Sequence, residues 1–232
     1  MRVFVTGIRG FIGRSINSYL SNLGHDVLGC SHSGVPLSRL SKGQTKVFSY
    51  GFDQTPVDDW FRDCDSVIHC AYDPSPGSLD RNVMGTGKLL RAAIRAGVPH
   101  QIFLSSHSAR DQARSDYGEH KRIIEQDFLA HGLLVIRPGM VIGNGGIFKE
   151  NVKNILSAPV LVLPSPSAVP VFVLPIADLL KCISKLLMSK TVGELNLYSP
   201  PPESMLSFVE LVLEATHTSR PVVPIPLTIV SG

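Results

Sequence analysis

Tyr117 and Lys121 stand four positions apart in Tyr117–Ala130, a stretch whose pattern predicts a helix. Residues i and i+4 share one helix face, so a phenol and an ammonium can enter the same cleft. A free phenol has a pKa of about 10. A neighbouring ammonium stabilises the phenolate and lowers that value, which gives an acid/base group usable near neutral pH. Ser105 and Ser106 close a predicted strand upstream, where a hydroxyl can hydrogen-bond a substrate oxygen beside the phenol. A lone YxxxK is a common accident of solvated helices, so its weight depends on its company.

That company begins at the N-terminus. Residues 6–13 read Thr-Gly-Ile-Arg-Gly-Phe-Ile-Gly, directly after a predicted strand and at the start of an amphipathic stretch. Gly7, Gly10 and Gly13 let the backbone turn tightly and approach a pyrophosphate, and the helix N-terminus offers free N–H groups. An ordinary glycine-rich turn is the plain alternative. Arg9, Phe11 and Ile12 belong to the same loop as candidate cofactor contacts. A dinucleotide site for NAD usually has an acid at the end of the second strand, for the ribose 2′-OH. Here that end reads Cys30-Ser31-His32-Ser33, and the nearest acid, Asp26, precedes the strand. Ser31, His32 and Ser33 therefore favour NADP, with Arg9, His32 and Arg39 as phosphate partners. NAD bound through main-chain contacts is the alternative. Tyr72 either walls the cleft or packs. His69, between Ile68 and Cys70, reads as a core histidine, and His107 either faces substrate or sits idle in a loop. Asp58, Asp59, Asp63 and Asp65 around Trp60 read as a solvated face, and no metal site is expected.

Short β-rich runs must position these groups. Strands are predicted over Arg2–Val5, Val27–Cys30, Lys46–Tyr50, Val67–Cys70, Ile102–Ser105 and Leu133–Arg137. Helices are predicted over Phe11–Leu23, Asn82–Ala96 and Tyr117–Ala130. This alternation implies an α/β fold, a Rossmann-type doubly wound parallel sheet. Eighteen of the 20 glycines lie at or before Gly146, and 11 of the 17 prolines lie at or after Pro159. A boundary follows: residues 1–147 are expected to form the dinucleotide domain and residues 148–232 a small C-terminal substrate lobe, either naturally short or truncated. The lobe reads as short strands plus helices at Ala177–Met188 and Met205–Ala215, the latter capped by Ser204. With 44% hydrophobic and 18% charged residues, the 232-residue chain is expected to be ordered. A net charge of +3 without a basic run argues against nucleic acid. Prolines interrupt the longest apolar stretch, which argues against a membrane span. Four cysteines without a CxxC pair, and no signal peptide, imply reduced thiols and a cytoplasmic setting.

Together these segments resemble the short-chain dehydrogenase/reductase superfamily, specifically its extended, epimerase/dehydratase-like branch, from residue 1 to about residue 226. The segment TGIRGFIG resembles the branch's TGxxGxxG. Val67–Ala71 resembles the strand whose end passes the adenine ribose, which implies Cys70 and Ala71 as contacts. Asn82–Ala93 resembles the helix carrying the family's asparagine, and Ile102–Ser106 the strand carrying its serine. Arg137–Gly143 resembles the segment beside the nicotinamide, which implies Pro138 and Gly139 as contacts. Ile176–Asp178 and Gly193–Leu197 resemble the start of the lobe's helix and its late strand.

The resemblance implies Tyr117 as general acid/base and Lys121 as the ribose contact that lowers its pKa. It implies Ser106 or Ser105 as the substrate orienter, Asn82 as support for the lysine through the helix or a water, and Asp53 as an adenine contact. The implied function is an NAD(P)-dependent oxidoreductase, epimerase or dehydratase acting on a nucleotide-sugar or a similar carbonyl/hydroxyl compound. The implied assembly is a homodimer through the helices at 82–96 and 117–130. Dehydratase is the least favoured, since Asp111 stands without a second acid after Ser106. The short serine–tyrosine gap, Pro175 in place of a histidine, and the small lobe depart from the family. They support the alternative, a non-catalytic NADP-binding sensor or scaffold.

Overall fold

Val3–Val5, Val67–Ile68, Ile102–Leu104 and Leu134–Ile136 are uninterrupted apolar runs, and all are buried. Strands covered on both faces require this pattern. The computed structural model describes residues 1–32, 45–113, 115–165 and 170–226. In chain order the elements begin with β1 (Arg2–Thr6), α1 (Phe11–Asn22), β2 (Asp26–Ser31), β3 (Val47–Ser49), β4 (Ser66–His69) and α2 (Leu79–Arg95). They continue with β5 (His100–Leu104), α3 (Asp116–Ala130), β6 (Leu134–Pro138), β7 (Met140–Ile142), α4 (Gly146–Ser157), β8 (Leu161–Ser165) and β9 (Pro170–Val171). The last are β10 (Val173–Pro175), α5 (Ile176–Ser189), β11 (Gly193–Leu197), β12 (Glu203–Ser204), α6 (Met205–Ala215) and β13 (Val222–Pro226).

Seven strands form one sheet in the order β11-β6-β5-β4-β1-β2-β3, and every neighbouring pair is parallel. The α/β Rossmann-type expectation holds. Thr6 lies opposite Cys30 on β2 and His69 on β4, so three strand ends meet at the point where the strand order reverses. Ligands of open α/β sheets bind in the crevice at such a point.

The chain divides into two compact units: Met1–Pro138 with Ile176–Leu197, and Gly139–Pro175 with Tyr198–Gly232. α5 and β11 belong to the first unit, although their sequence resembles lobe segments. The reason is pairing: β11 continues the central sheet beside β6, with Gly193 opposite Leu134. In the second unit, α4 and α6 enclose a core of Ile155, Leu161, Leu163, Phe208, Val209, Val212 and Leu213. β7 pairs with β10, β8 with β13 and β9 with β12. The composition boundary at 147 falls inside α4, a helix the sequence reading did not predict. Phe148, Val152 and Ile155 give α4 its apolar face, but its N-cap is Gly145 with no side-chain capping bond, so no start signal marks it. Ser204 caps α6 as expected, accepting from the Ser207 N–H at 2.9 Å.

His69 is a core residue, bonded through Nε2 to Gln101 Oε1 at 2.8 Å, and burial lowers it to about 4. The acidic stretch is a short 3₁₀ turn at Asp58–Phe61. Asp58 pairs with Arg95 and Asp59 with Arg62, while Trp60 stacks on Phe48 at 4.9 Å. Among the described residues no cluster could hold a metal, and no helix is long and apolar enough to cross a membrane.

Candidate functional site

The glycine loop sits where β1 ends. Gly7 has φ +65°, and a Cβ there would lie 2.8 Å from Ala71 Cα. A Cβ on Gly13 would lie 2.3 Å from the Gly7 carbonyl oxygen. Backbone against backbone cannot yield, so both positions demand glycine. Thr6 Oγ1 ties the loop to β4 by accepting the N–H groups of Cys70 and Ala71, each at 3.1 Å. Gly10 is the N-cap of α1 without a side-chain cap. The first N–H groups of α1 are thus left without a side-chain cap, as an anion site at a helix N-terminus requires. Phe11 and Ile12 open α1 half-buried.

A cavity of about 910 Å³ occupies this end of the first unit. Gly7, Arg9, Gly10, Cys70, Ala71 and Tyr72 line it on the loop and β4 side. Ser31, His32 and Asp53 line it beyond β2 and β3, where a Cβ on Gly51 would meet Asp53 Oδ1 at 2.5 Å and His32 Nδ1 at 3.7 Å. These nine predicted contacts converge. Ser33 and Arg39 lie outside the described residues. Sequence reading missed Thr6, Phe52 and Arg81, of which Phe52 and Arg81 line the cavity and Arg81 pairs with Asp73 at 3.0 Å. Phe52 carries a signal, because it follows a predicted strand end. Arg81 carries none, because its place depends on the loop between β4 and α2.

The Tyr117 pair lies beyond Tyr72. Ser115 caps α3 by accepting the Gly118 N–H at 3.2 Å, which presents Tyr117 in the first turn. Lys121, one turn on, is buried, and its Nζ donates to the Leu104 carbonyl at 2.8 Å. Three rings surround that ammonium: Phe103 at 4.7 Å, Tyr72 at 5.1 Å and Tyr117 at 5.8 Å. Burial lowers Lys121 to about 8 against the opposing pull of Cys70 and Glu125. Burial raises the Tyr117 phenol above its ordinary value, and Ser106 opposes that rise. Of the two serines, Ser106 is the one that bears on the phenol, opposing its rise, and its Oγ accepts the Ser108 N–H at 3.1 Å. Ser105 Oγ is buried without a hydrogen-bond partner among the described residues.

Asn82 opens onto the loop after β4. It is fully buried, and its Nδ2 donates to the Asp73 carbonyl at 2.9 Å and to Ser78 O and Oγ, each at 3.0 Å. Its Oδ1 accepts the Asp73 N–H at 2.9 Å. Its side chain is thus spent on fastening the Asp73–Ser78 loop. Pro138 ends β6, and its carbonyl accepts the His107 N–H at 2.9 Å. Gly139 opens the second unit, where a Cβ would lie 2.5 Å from the Phe172 carbonyl oxygen.

A parallel sheet with a glycine loop at its switch point and a Ser–Tyr–Lys group on the next strand and helix defines a dinucleotide-fold protein of the extended type. The model of the NAD dependent epimerase/dehydratase family matches residues 3–159, and the chain belongs to that family. It is similar over 97% of its length to MoeE5 in complex with UDP-glucose and NAD, at 20% identity and TM-score 0.80, covering 85% of that chain. It is similar to the same extent, at 20% identity and TM-score 0.78, to UDP-glucuronic acid 4-epimerase from Bacillus cereus in complex with NAD, covering 87% of that chain. These likenesses show the fold. An uncharacterized protein of Mycobacterium tuberculosis is 33% identical over 121 residues, or 51% of this chain, which spans 14% of that relative's length.

Proposed function

We propose that the chain is an NAD(P)-dependent oxidoreductase or epimerase acting on a nucleotide-sugar or a similar carbonyl/hydroxyl compound, with Tyr117 as acid/base. The observation that carries this reading is the buried Lys121 ammonium, 5.8 Å from the centre of the Tyr117 ring. The glycine cradle fits a dinucleotide, because Cβ atoms at Gly7 and Gly13 would fill it. When bound, the dinucleotide supplies the hydride chemistry. Tyr117 Oη exchanges a proton with the substrate oxygen, Ser106 Oγ orients that oxygen, and Lys121 supplies positive charge beside the phenol. Ser31 and His32, with no carboxylate at the end of β2, favour NADP, and Arg9 lines the same cavity. The nucleotide-sugar reading draws on MoeE5 and the Bacillus cereus epimerase, whose complexes hold such sugars. Four free cysteines suit a cytoplasmic protein, and adjacent α2 and α3, joined by Arg91–Asp127, suit a homodimer face.

The alternative is a dinucleotide-binding sensor without turnover. Two observations favour it: the raised Tyr117 phenol and the commitment of Lys121 to the Leu104 carbonyl. One experiment separates the two readings. Turnover is followed with UDP-glucose and with UDP-glucuronic acid, and NADP⁺ and NAD⁺ binding is measured by calorimetry, for wild type and Tyr117→Phe. The enzyme reading expects a loss of about 10²–10⁴-fold in turnover with dinucleotide affinity kept, NADP⁺ binding tighter. Full turnover in the Phe variant removes Tyr117 from the chemistry, and tighter NAD⁺ binding removes the NADP preference.

A further inference from the structure

Tyr72 follows β4 and touches two places at once. On one side it lines the cavity with Gly7, Cys70 and Ala71. On the other its ring meets that of Tyr117 at right angles, with centroids 4.9 Å apart and an interplanar angle of 87°. Lys121 Nζ stands 5.1 Å over the centre of the Tyr72 ring. The Tyr72 hydroxyl hydrogen-bonds Nδ1 of buried His120 at 3.1 Å. Burial pushes the Tyr72 phenol up to about 12, so the hydroxyl keeps its proton at neutral pH and can donate to that nitrogen. The ring is thereby held at three points: by an imidazole, by an aromatic edge and by a cation.

Tyr72 lines the cavity, whereas Lys121, behind the Tyr72 ring, is 3% exposed. A ligand seated on the glycine loop and extended toward Tyr117 therefore meets Tyr72 first. We infer that Tyr72 is a specificity-determining residue of the dinucleotide site, its ring screening Lys121 from the cavity so that the nicotinamide riboside half of the ligand must displace it while the adenosine diphosphate half need not. The inference rests on the dinucleotide reading of the loop given under Proposed function. To expose Lys121, the ring gives up a cation–π contact and a perpendicular aromatic pair. Both losses fall on the whole dinucleotide and not on its ADP portion. Tyr72 thus sets the ratio of the two affinities.

The test is a calorimetric titration of the full chain with ADP, and with NADP⁺ and NAD⁺, for wild type, Tyr72→Ala and Tyr72→Phe. In Tyr72→Ala the preferred dinucleotide binds roughly 3- to 30-fold tighter than in wild type, with ADP affinity unchanged. Tyr72→Phe, which keeps the ring and loses the bond to His120, falls between wild type and Tyr72→Ala. Dinucleotide binding that is unchanged or weaker in Tyr72→Ala, at constant ADP affinity, overturns the screen. So does a parallel change in both ligands, which marks Tyr72 as mere packing. If ADP and the dinucleotides all fail to bind any of the three proteins, the dinucleotide reading itself falls and the screen with it. Wild type that binds ADP and a dinucleotide, with no change in their ratio on substitution, removes the screen alone.

Discussion

Lys121 shows what the site costs the fold. Its ammonium is almost fully buried, with one hydrogen bond to the Leu104 carbonyl and three aromatic rings around it. Those partners do not replace water, because burial lowers Lys121 from 10.5 to about 8. Between those two values the unfolded chain binds more protons at this residue than the folded one, so its contribution to stability rises with pH across that window. Below about 8 the full charging penalty is present. Lys121→Met, similar in length and neutral, is therefore expected to be more stable than wild type at pH 7, by on the order of 2 kcal/mol after allowance for the orphaned carbonyl. That advantage should shrink as pH rises from about 8 to 10.5. Urea melts of both proteins at the two pH values check this. A less stable variant, or a difference that ignores pH, rejects the account.

At the level of elements, α3 depends on a cap. Ser115 Oγ holds the Gly118 N–H at 3.2 Å in the turn that carries Tyr117. Ser115→Ala should cost about 1 kcal/mol in a denaturant melt, and it should weaken substrate turnover through fraying of the first turn. A loss confined to activity, with no change in stability, counts against the cap. The sequence shows why some elements were legible and others were not. The sheet strands were read nearly to the residue because buried parallel strands are continuous apolar runs, as in Val3–Val5 and Leu134–Ile136. The glycine loop was legible because Gly7 and Gly13 answer local backbone crowding. α4 was missed because a glycine N-cap without a side-chain bond leaves no start signal. β11 was read from resemblance alone as a lobe strand, because its pairing with β6 is a fact of tertiary contact. The bonds of Asn82 are not legible in the sequence, since the loop from Asp73 to Ser78 that it fastens has no pattern of its own. The Ser105/Ser106 ambiguity was of the same kind. Neighbours at a strand end point to opposite faces, and only the position of α3 decides which one meets Tyr117.

Across the first unit, one charged cluster joins segments far apart in the chain. Arg137 on β6 forms two bonds with Glu125 on α3, one of them Nε to Oε1 at 2.9 Å, and a third with Glu194 on β11. The Glu125 side chain is 2% exposed, that of Arg137 19% and that of Glu194 33%. β11 enters the sheet only after the chain has traversed Gly139–Pro175 in the second unit, so its docking is a long-range event with little local guidance. The cluster binds that late strand to the helix carrying Tyr117 and Lys121. A buried ion pair adds little over a well-packed apolar pair, yet breaking one half of it leaves a charge with no compensation. Arg137→Met should therefore destabilise the protein by about 3–5 kcal/mol, because Glu125 stays buried without its cation. Adding Glu125→Met to that variant should recover most of the loss, since the pair is removed as a unit and Glu194 is open enough to be hydrated. Denaturant melts of the two single variants and the double variant form the cycle that measures this. Equal, additive losses would show that Arg137 and Glu125 do not act as a pair. Recovery in the double variant would show that the loss in Arg137→Met comes from the uncompensated Glu125 charge, and that the intact pair adds little over an apolar one between α3 and β6.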